Sequence, residues 1–234
     1  MTCIGTMNRF LKRNKVYERA ASTILPRKLY IYCEGDVREK DYFDFFKGLS
    51  SNIEVITIRD EEGRTDPESL MHLAERDFSR IDSQRPSREI EEDNLDEIWF
   101  VIDTDHWNES GKIGKVLSFC HMRNSGKKYS VWNVAQSNPS FEIWLYYHQH
   151  DEKPKEEDVA RFHSFKEFVH KSYKSGFDSV RMPSYMEDAI KNASENYQIE
   201  SGQPALYSTQ VHFLGSKILP YVKGVLDRLK PMIK

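Results

Sequence analysis

Cysteine is scarce in this chain: Cys3, Cys33 and Cys120 are the only three in 234 residues. They are too few and too scattered for a disulfide framework, a zinc site or a Cys-x-x-Cys redox pair, so each reads as a buried thiol. No apolar run approaches the roughly 20 residues that span a bilayer. Nor does an apolar stretch follow the basic N-terminal residues as in a signal peptide, and the expectation is a cytoplasmic protein without membrane contact. A Gly-x-x-x-x-Gly-Lys-Ser/Thr loop occurs nowhere, which argues against a P-loop NTPase. Internal repeats and low-complexity tracts are absent as well. The chain also lacks a net positive charge: its formal charge is -3 and its pI about 6.3. That argues against coating nucleic acid by charge alone and leaves a nuclease open.

What is present suits a globular protein. Hydrophobic residues make up 38%, aromatic residues 12% and charged residues 30%, with a mean hydropathy of -0.69. The length allows one large domain, or a compact core with a smaller appendage. The charge is polarised. Residues 1–28 carry seven cations against Glu18 alone, a net of +6, which leaves -9 for the rest of a chain whose total is -3.

Short apolar runs of strand length occur at Lys28 to Cys33, Ile53 to Ile58, Ile98 to Ile102 and Tyr129 to Ala135. Helical spacings lie between them. Tyr42, Phe43, Phe45, Phe46 and Leu49 form the first, and Asp66-Pro67 reads as an N-cap with proline at the first helical position, opening a second through Leu70, Leu73, Ala74 and Phe78. Ile113, Val116, Leu117 and Cys120 supply a third, and Phe141 to His148 a fourth. This alternation predicts an α/β fold with a mostly parallel sheet flanked by helices. Residues 1–26 read as a basic arm, 27–149 as the α/β domain and 150–234 as a helical C-terminal extension or subdomain. In that extension helices are expected around 159–169, 185–197 and 206–229, the last interrupted near Pro220. The acidic stretch 85–97 reads as a solvated loop.

The informative residues are Glu34, directly after the first strand, and Asp103 and Asp105, directly after the third. Strands of a parallel sheet end on one edge, where ligands bind, so the three acids are expected on one rim. Gathered carboxylates repel unless a cation sits among them, and a hard divalent ion such as Mg²⁺ or Mn²⁺ suits oxygen ligands. Gly35 permits close approach beside Glu34. Each acid taken alone is equally a turn or helix cap. Asp-x-Asp after a strand also occurs in haloacid-dehalogenase-type phosphatases, but there it normally follows the first strand. A nucleotide-sugar transferase stays open on spacing and leaves Glu34 unexplained.

Three segments carry a resemblance: Leu29-Tyr-Ile-Tyr-Cys-Glu-Gly35 with Glu39 and Tyr42-Phe43, then Ile98-Trp-Phe-Val-Ile-Asp-Thr-Asp105, then Ala135-Gln-Ser-Asn-Pro-Ser-Phe-Glu-Ile-Trp-Leu145. Together with Ser208-Thr-Gln-Val-His212 they resemble the RloB-like family of bacterial proteins over roughly residues 27–215. That family is similar to Toprim domains, with a Rossmann-like sheet, one Glu after the first strand and Asp-x-Asp after the third. The resemblance implies Glu34, Asp103 and Asp105 as catalytic residues, the same three with Glu39 as metal ligands, and Mg²⁺ or Mn²⁺ as cofactor. It further implies a nuclease acting on DNA or RNA in anti-phage defence beside an ATPase partner.

Other residues near the rim are expected to bind substrate: Ser137, Asn138 and Glu142 after the fourth strand, Lys112 and Lys115 on the third helix, and His106 beside the acids. Asn138-Pro139 reads equally as a helix cap with Glu142 completing a capping box. The lysines, with Arg123, Lys127 and Lys128, read equally as a solvated helix face. His148 and His150 read as surface residues, and His212 approaches the site only if the last helix folds back. The leading expectation is a Toprim-type nuclease. Its alternative is a catalytically inactive sensor or scaffold module for an ATPase, and a homo-oligomer stays open for either.

Overall fold

The computed structural model describes residues 25–35, 37–60, 63–64, 66–79, 86–104, 110–173 and 176–233. Residues 1–24 of the basic arm, Cys3 among them, and Asp105 and His106 therefore lie outside the described residues.

The chain lays down β1 (Arg27–Cys33), α1 (Arg38–Asp44), β2 (Ile53–Ile58), α2 (Pro67–Phe78), β3 (Glu97–Asp103), α3 (Lys112–Asn124), β4 (Trp132–Asn138) and α4 (Glu142–Tyr146). It continues with α5 (Glu156–Val159), α6 (Phe165–Ser172), α7 (Met186–Glu195), the short strands β5 (Ile199–Glu200), β6 (Gln203–Pro204) and β7 (Ser208–Thr209), and α8 (Val211–Leu229). The main sheet has five strands in the order β2-β1-β3-β4-β7. Its first four strands are parallel, as the alternation predicts, and β7 joins antiparallel to β4. Strands β5 and β6 form a separate hairpin.

Strand periodicity divides the core into two layers. Leu29, Ile31 and Cys33 of β1 and Trp99 and Val101 of β3 face one side, where α1, α4 and the C-terminal helices pack. Tyr30, Tyr32, Ile98, Phe100 and Ile102 face the other side, against α2 and α3. The expected positions Leu70, Leu73, Ala74, Ile113, Val116 and Cys120 are all buried there. Helix α2 starts as predicted: Pro67 occupies the first turn, and the Asp66 carboxylate accepts hydrogen bonds from the Ser69 amide and hydroxyl.

Several local expectations need correction. The fourth strand starts at Trp132, because Tyr129 directs its hydroxyl to the Asp96 carbonyl instead of entering the sheet. The acidic stretch is not wholly solvated. Asp96 is buried and accepts the amides of Lys28 and Glu91, while buried Glu97 pairs with Arg27 and Lys217. Residues 159–169 form two helices rather than one. The last helix runs through Pro220 without interruption. Residues 150–234 are not helical alone, since they contribute β5, β6 and β7; two-residue strands carry too little periodicity to be read from sequence.

Candidate active site

In a sheet of order β2-β1-β3-β4, the chain leaves β1 toward β2 on one side and returns as β3 on the other. The crevice between the C-terminal ends of β1 and β3 is the topological switch point, where open α/β sheets bind ligands. Glu34 and Asp103 both end there. The Glu34 amide donates to the Val101 carbonyl at 3.0 Å, and the Glu34 Oε2 accepts the Asp103 amide at 2.8 Å. Asp103 Oδ1 in turn accepts the Phe141 amide at 2.8 Å, which ties the end of β3 to the start of α4.

Two further acids converge on this pair. Glu39 projects from α1 and is 6% exposed, and Glu142 from α4 is 3% exposed. A Cβ on Gly35 would lie 1.7 Å from Glu39 Oε2. The glycine therefore leaves the space that the Glu39 carboxylate fills, a packing reason beyond the tight turn. Glu142 accepts from Arg38 Nη1 at 2.5 Å and from the Ser140 hydroxyl at 2.7 Å. Lys166 of α6 approaches Asp103 Oδ2 at 3.9 Å.

Burial first, then the neighbouring charges of Glu39, Glu34 and Glu142, raise the Asp103 carboxyl well above its ordinary range, and Lys166 opposes the shift. Burial also raises Glu39; its own backbone hydrogen bond opposes this, and Glu142 adds to it. A crowd of carboxylates thus gathers at this point, with Arg38 on Glu142 and Lys166 beside Asp103. Its donors are all oxygens, the set that a hard divalent ion prefers. Among the described residues, however, no three His, Cys, Asp or Glu side chains are arranged to hold a metal ion. Asp105, the third ligand expected from the sequence, lies outside the described residues.

The remaining expected site residues fall into distinct places. Ser137 is fully buried and shares its hydroxyl with Thr209 at 2.8 Å, pinning β7 to β4, so it has no surface to offer a substrate. The capping box is not formed. Asn138 ends β4 and donates from Nδ2 to the Pro204 carbonyl at 2.9 Å, and α4 starts without a side-chain cap. Lys112 and Lys115 pair with Asp66, the cap of α2, and with Glu68 in its first turn. Arg123 and Lys127 pair with Glu75 and Glu92 toward the far end of α3. His148 is not a surface residue: it is buried, with Nε2 3.1 Å from the Tyr42 hydroxyl and Nδ1 3.0 Å from the Trp144 carbonyl. His212 is buried beneath β7, its Nδ1 2.6 Å from the Thr209 carbonyl.

Sequence reading missed Arg38, Ser140 and Lys166, the groups that meet the acids. Ser140 and Arg38 adjoin residues already singled out, so their placement was within reach. Lys166 had no signal, because its approach depends on how α6 packs across α4.

Fold and rim together define a Rossmann-like α/β protein with a carboxylate-lined crevice at the switch point of its sheet. The model of the RloB-like protein family matches residues 29–218, and the chain belongs to that family. No curated protein and no solved structure matches it. No helix among the described residues is long and apolar enough to cross a membrane.

Proposed function

We propose that this protein is a metal-dependent nuclease of the Toprim type that hydrolyses phosphodiesters of DNA or RNA with Mg²⁺ or Mn²⁺, in anti-phage defence with an ATPase partner. The observation that carries the reading is the burial of Asp103 beside Glu34, Glu39 and Glu142 at the β1–β3 switch point. Glu34, Asp103 and Asp105 are the residues to hold the ion, with Glu39 available to a second one. A bound divalent ion supplies Lewis acidity, polarising a non-bridging phosphate oxygen and offsetting the charge that builds at phosphorus.

The chain's own groups prepare that chemistry. Backbone amides fix one oxygen each of Glu34 and Asp103, so neither carboxylate has to reorient on binding. Glu34, at the end of β1, either completes the shell of the ion or takes the proton of the attacking water. Lys166, half exposed, offers its ammonium to the phosphate that arrives beside Asp103.

The test is incubation of the purified protein with single- and double-stranded DNA and RNA, with Mn²⁺ or with chelator. Cleavage is expected only with the ion, and it should vanish in Glu34→Gln and Asp103→Asn while circular dichroism is unchanged. Retained cleavage in both variants rejects the reading. An inert module that docks on an ATPase is the second reading. Partner binding without any ion-dependent cleavage would support it.

A further inference from the structure

A cavity of about 120 Å³ between α1, α4 and α6 has no part in the reading above. Leu145, Val169 and Phe177 form its apolar side, and Arg38, Asp41, His170 and Ser179 its polar side. It lies on the sheet face that Asp103 shares: Asp103 follows Val101 by two residues, and Val101 and Trp99 pack in the same layer as Leu145, Val169 and Phe177. Two links join the cavity to the carboxylates. Arg38, in its wall, donates from Nη1 to Glu142 Oε1 at 2.5 Å. Lys166, one turn before Val169 and His170 on the same side of α6, lies 3.9 Å from Asp103 Oδ2.

The wall is held in place by its own contacts. Phe177 meets the rings of Tyr42, His148 and Tyr173 at centroid distances of 6.2, 5.2 and 5.6 Å. Gly176 has a φ of +77°, and a Cβ there would fall 2.5 Å from His170 Cε1, so the glycine lets the loop close against the imidazole. Asp178 Oδ1 accepts the Val180 and Arg181 amides at 2.9 and 3.1 Å, which fixes the turn that carries Ser179. No side-chain hydrogen bond or ion pair joins Asp41, His170 or Ser179 to another described residue. Arg38 is already paired with Glu142 and Asp41 adds a negative charge, so the cavity disfavours phosphate.

An apolar floor ringed by donors and acceptors suits an uncharged planar ring that carries both. The size agrees, since an engineered cavity of about 150 Å³ takes one benzene ring. Arg38 and Asp41 stand one turn apart on α1, which sets a donor beside an acceptor. Every nucleobase likewise presents an acceptor beside a donor on its pairing edge. We propose that this cavity takes an unpaired nucleobase of the strand whose phosphodiester meets the carboxylates, so that the protein selects single strands. The proposal rests on the nuclease reading for its substrate class. It adds strand selectivity, because in a duplex the pairing edge is occupied and the base is stacked.

The test is fluorescence anisotropy on the full chain, in chelator, with a short single strand of mixed sequence, its duplex, and an abasic strand of equal length. Deoxyribose and ribose series are measured separately. The base-bearing single strand is expected to bind about tenfold more tightly than either of the others, the scale of one base contact. Ser179→Trp fills the cavity from a loop position, and Asp41→Ala removes the acceptor from an exposed one. Both should bring the preference within about twofold, with circular dichroism unchanged and the abasic strand bound no more weakly than by the parent. The proposal is overturned if the single strand has no advantage over the abasic one, if the duplex binds as tightly, if the advantage persists in both variants, or if no strand binds. Adding Mn²⁺ separates the two claims. A base preference without cleavage sinks the nuclease reading alone. Cleavage of single strand and duplex at equal rates, unchanged in both variants, sinks the cavity alone.

Discussion

The Glu34 carboxylate accepts the backbone amide of Asp103 at 2.8 Å, across the seam where β1 and β3 end. The next link, from Phe141 N–H to Asp103 Oδ1, continues the chain of bonds into α4. Two acids far apart in sequence thereby become one linked unit, with Glu39 and Glu142 close enough to raise the Asp103 carboxyl.

The charge crowding has a stability signature. Asp103 is raised in the folded state by burial and by its acidic neighbours. Well below the ordinary carboxylate range, about pH 4, both states are protonated and the penalty is nil. As pH rises, the unfolded chain releases its proton first and the folded state is progressively penalised until the raised pKa is passed. Asp103→Asn is therefore expected to be more stable than the parent at pH 8 and equal to it near pH 3, as read from urea midpoints without divalent ions.

Gly35 and Glu39 form a coupled pair. Gly35→Ala puts a methyl where the Glu39 carboxylate lies and is expected to cost about 1–3 kcal/mol, the usual range for overpacking. In a Glu39→Ala background the same substitution should cost less than about 0.5 kcal/mol. A double-mutant cycle by chemical denaturation measures the difference.

The buried Tyr42–His148 pair titrates in the opposite sense. Burial lowers the His148 pKa to about 3, with its hydrogen bonds to the Trp144 and Leu145 backbone opposing the shift. The ring is neutral in the fold, whereas the unfolded chain takes up a proton near pH 6.5. Stability from this group is present above that value and is lost as pH falls toward 3. Tyr42→Phe removes the hydroxyl that meets His148 Nε2 and is expected to cost about 1–3 kcal/mol at pH 7. His148→Gln should flatten the pH dependence between 6.5 and 4, as followed by thermal melts.

Lys166→Met tests a group whose value lies in the site rather than in the fold. The lysine is half exposed and its pair with Asp103 is long, so the expected loss of stability is under about 1 kcal/mol. Under the proposed function, ion-dependent cleavage should fall by about 10²-fold, a size typical of removing one electrostatic stabiliser. Comparing unfolding midpoints with cleavage rates separates the two effects.

Much of this architecture was legible. Short apolar runs of strand length located β1, β2 and β3 to within a residue or two, and Asp66-Pro67 announced the start of α2. Glu34 and Asp103 were readable because strand ends in a parallel sheet share an edge, and that argument needs only strand direction. What escaped depended on distant packing. Asn138-Pro139 looked like a cap, but Asn138 turns to the hairpin at Pro204, which no local pattern encodes. Ser137 looked available because hydroxyls near a rim often are. It is sealed by Thr209, from a two-residue strand too short to announce itself. The acidic run hid Asp96 and Glu97, whose burial depends on partners at Lys28, Arg27 and Lys217.

The central claim is that carboxylates from separate segments gather to hold a divalent ion. Isothermal titration of Mn²⁺ into the full chain tests it most directly. Saturable binding to the parent protein, abolished in Asp103→Asn and in Glu34→Gln, is the predicted result. No heat of binding to the parent, or equal binding in both variants, would contradict the account.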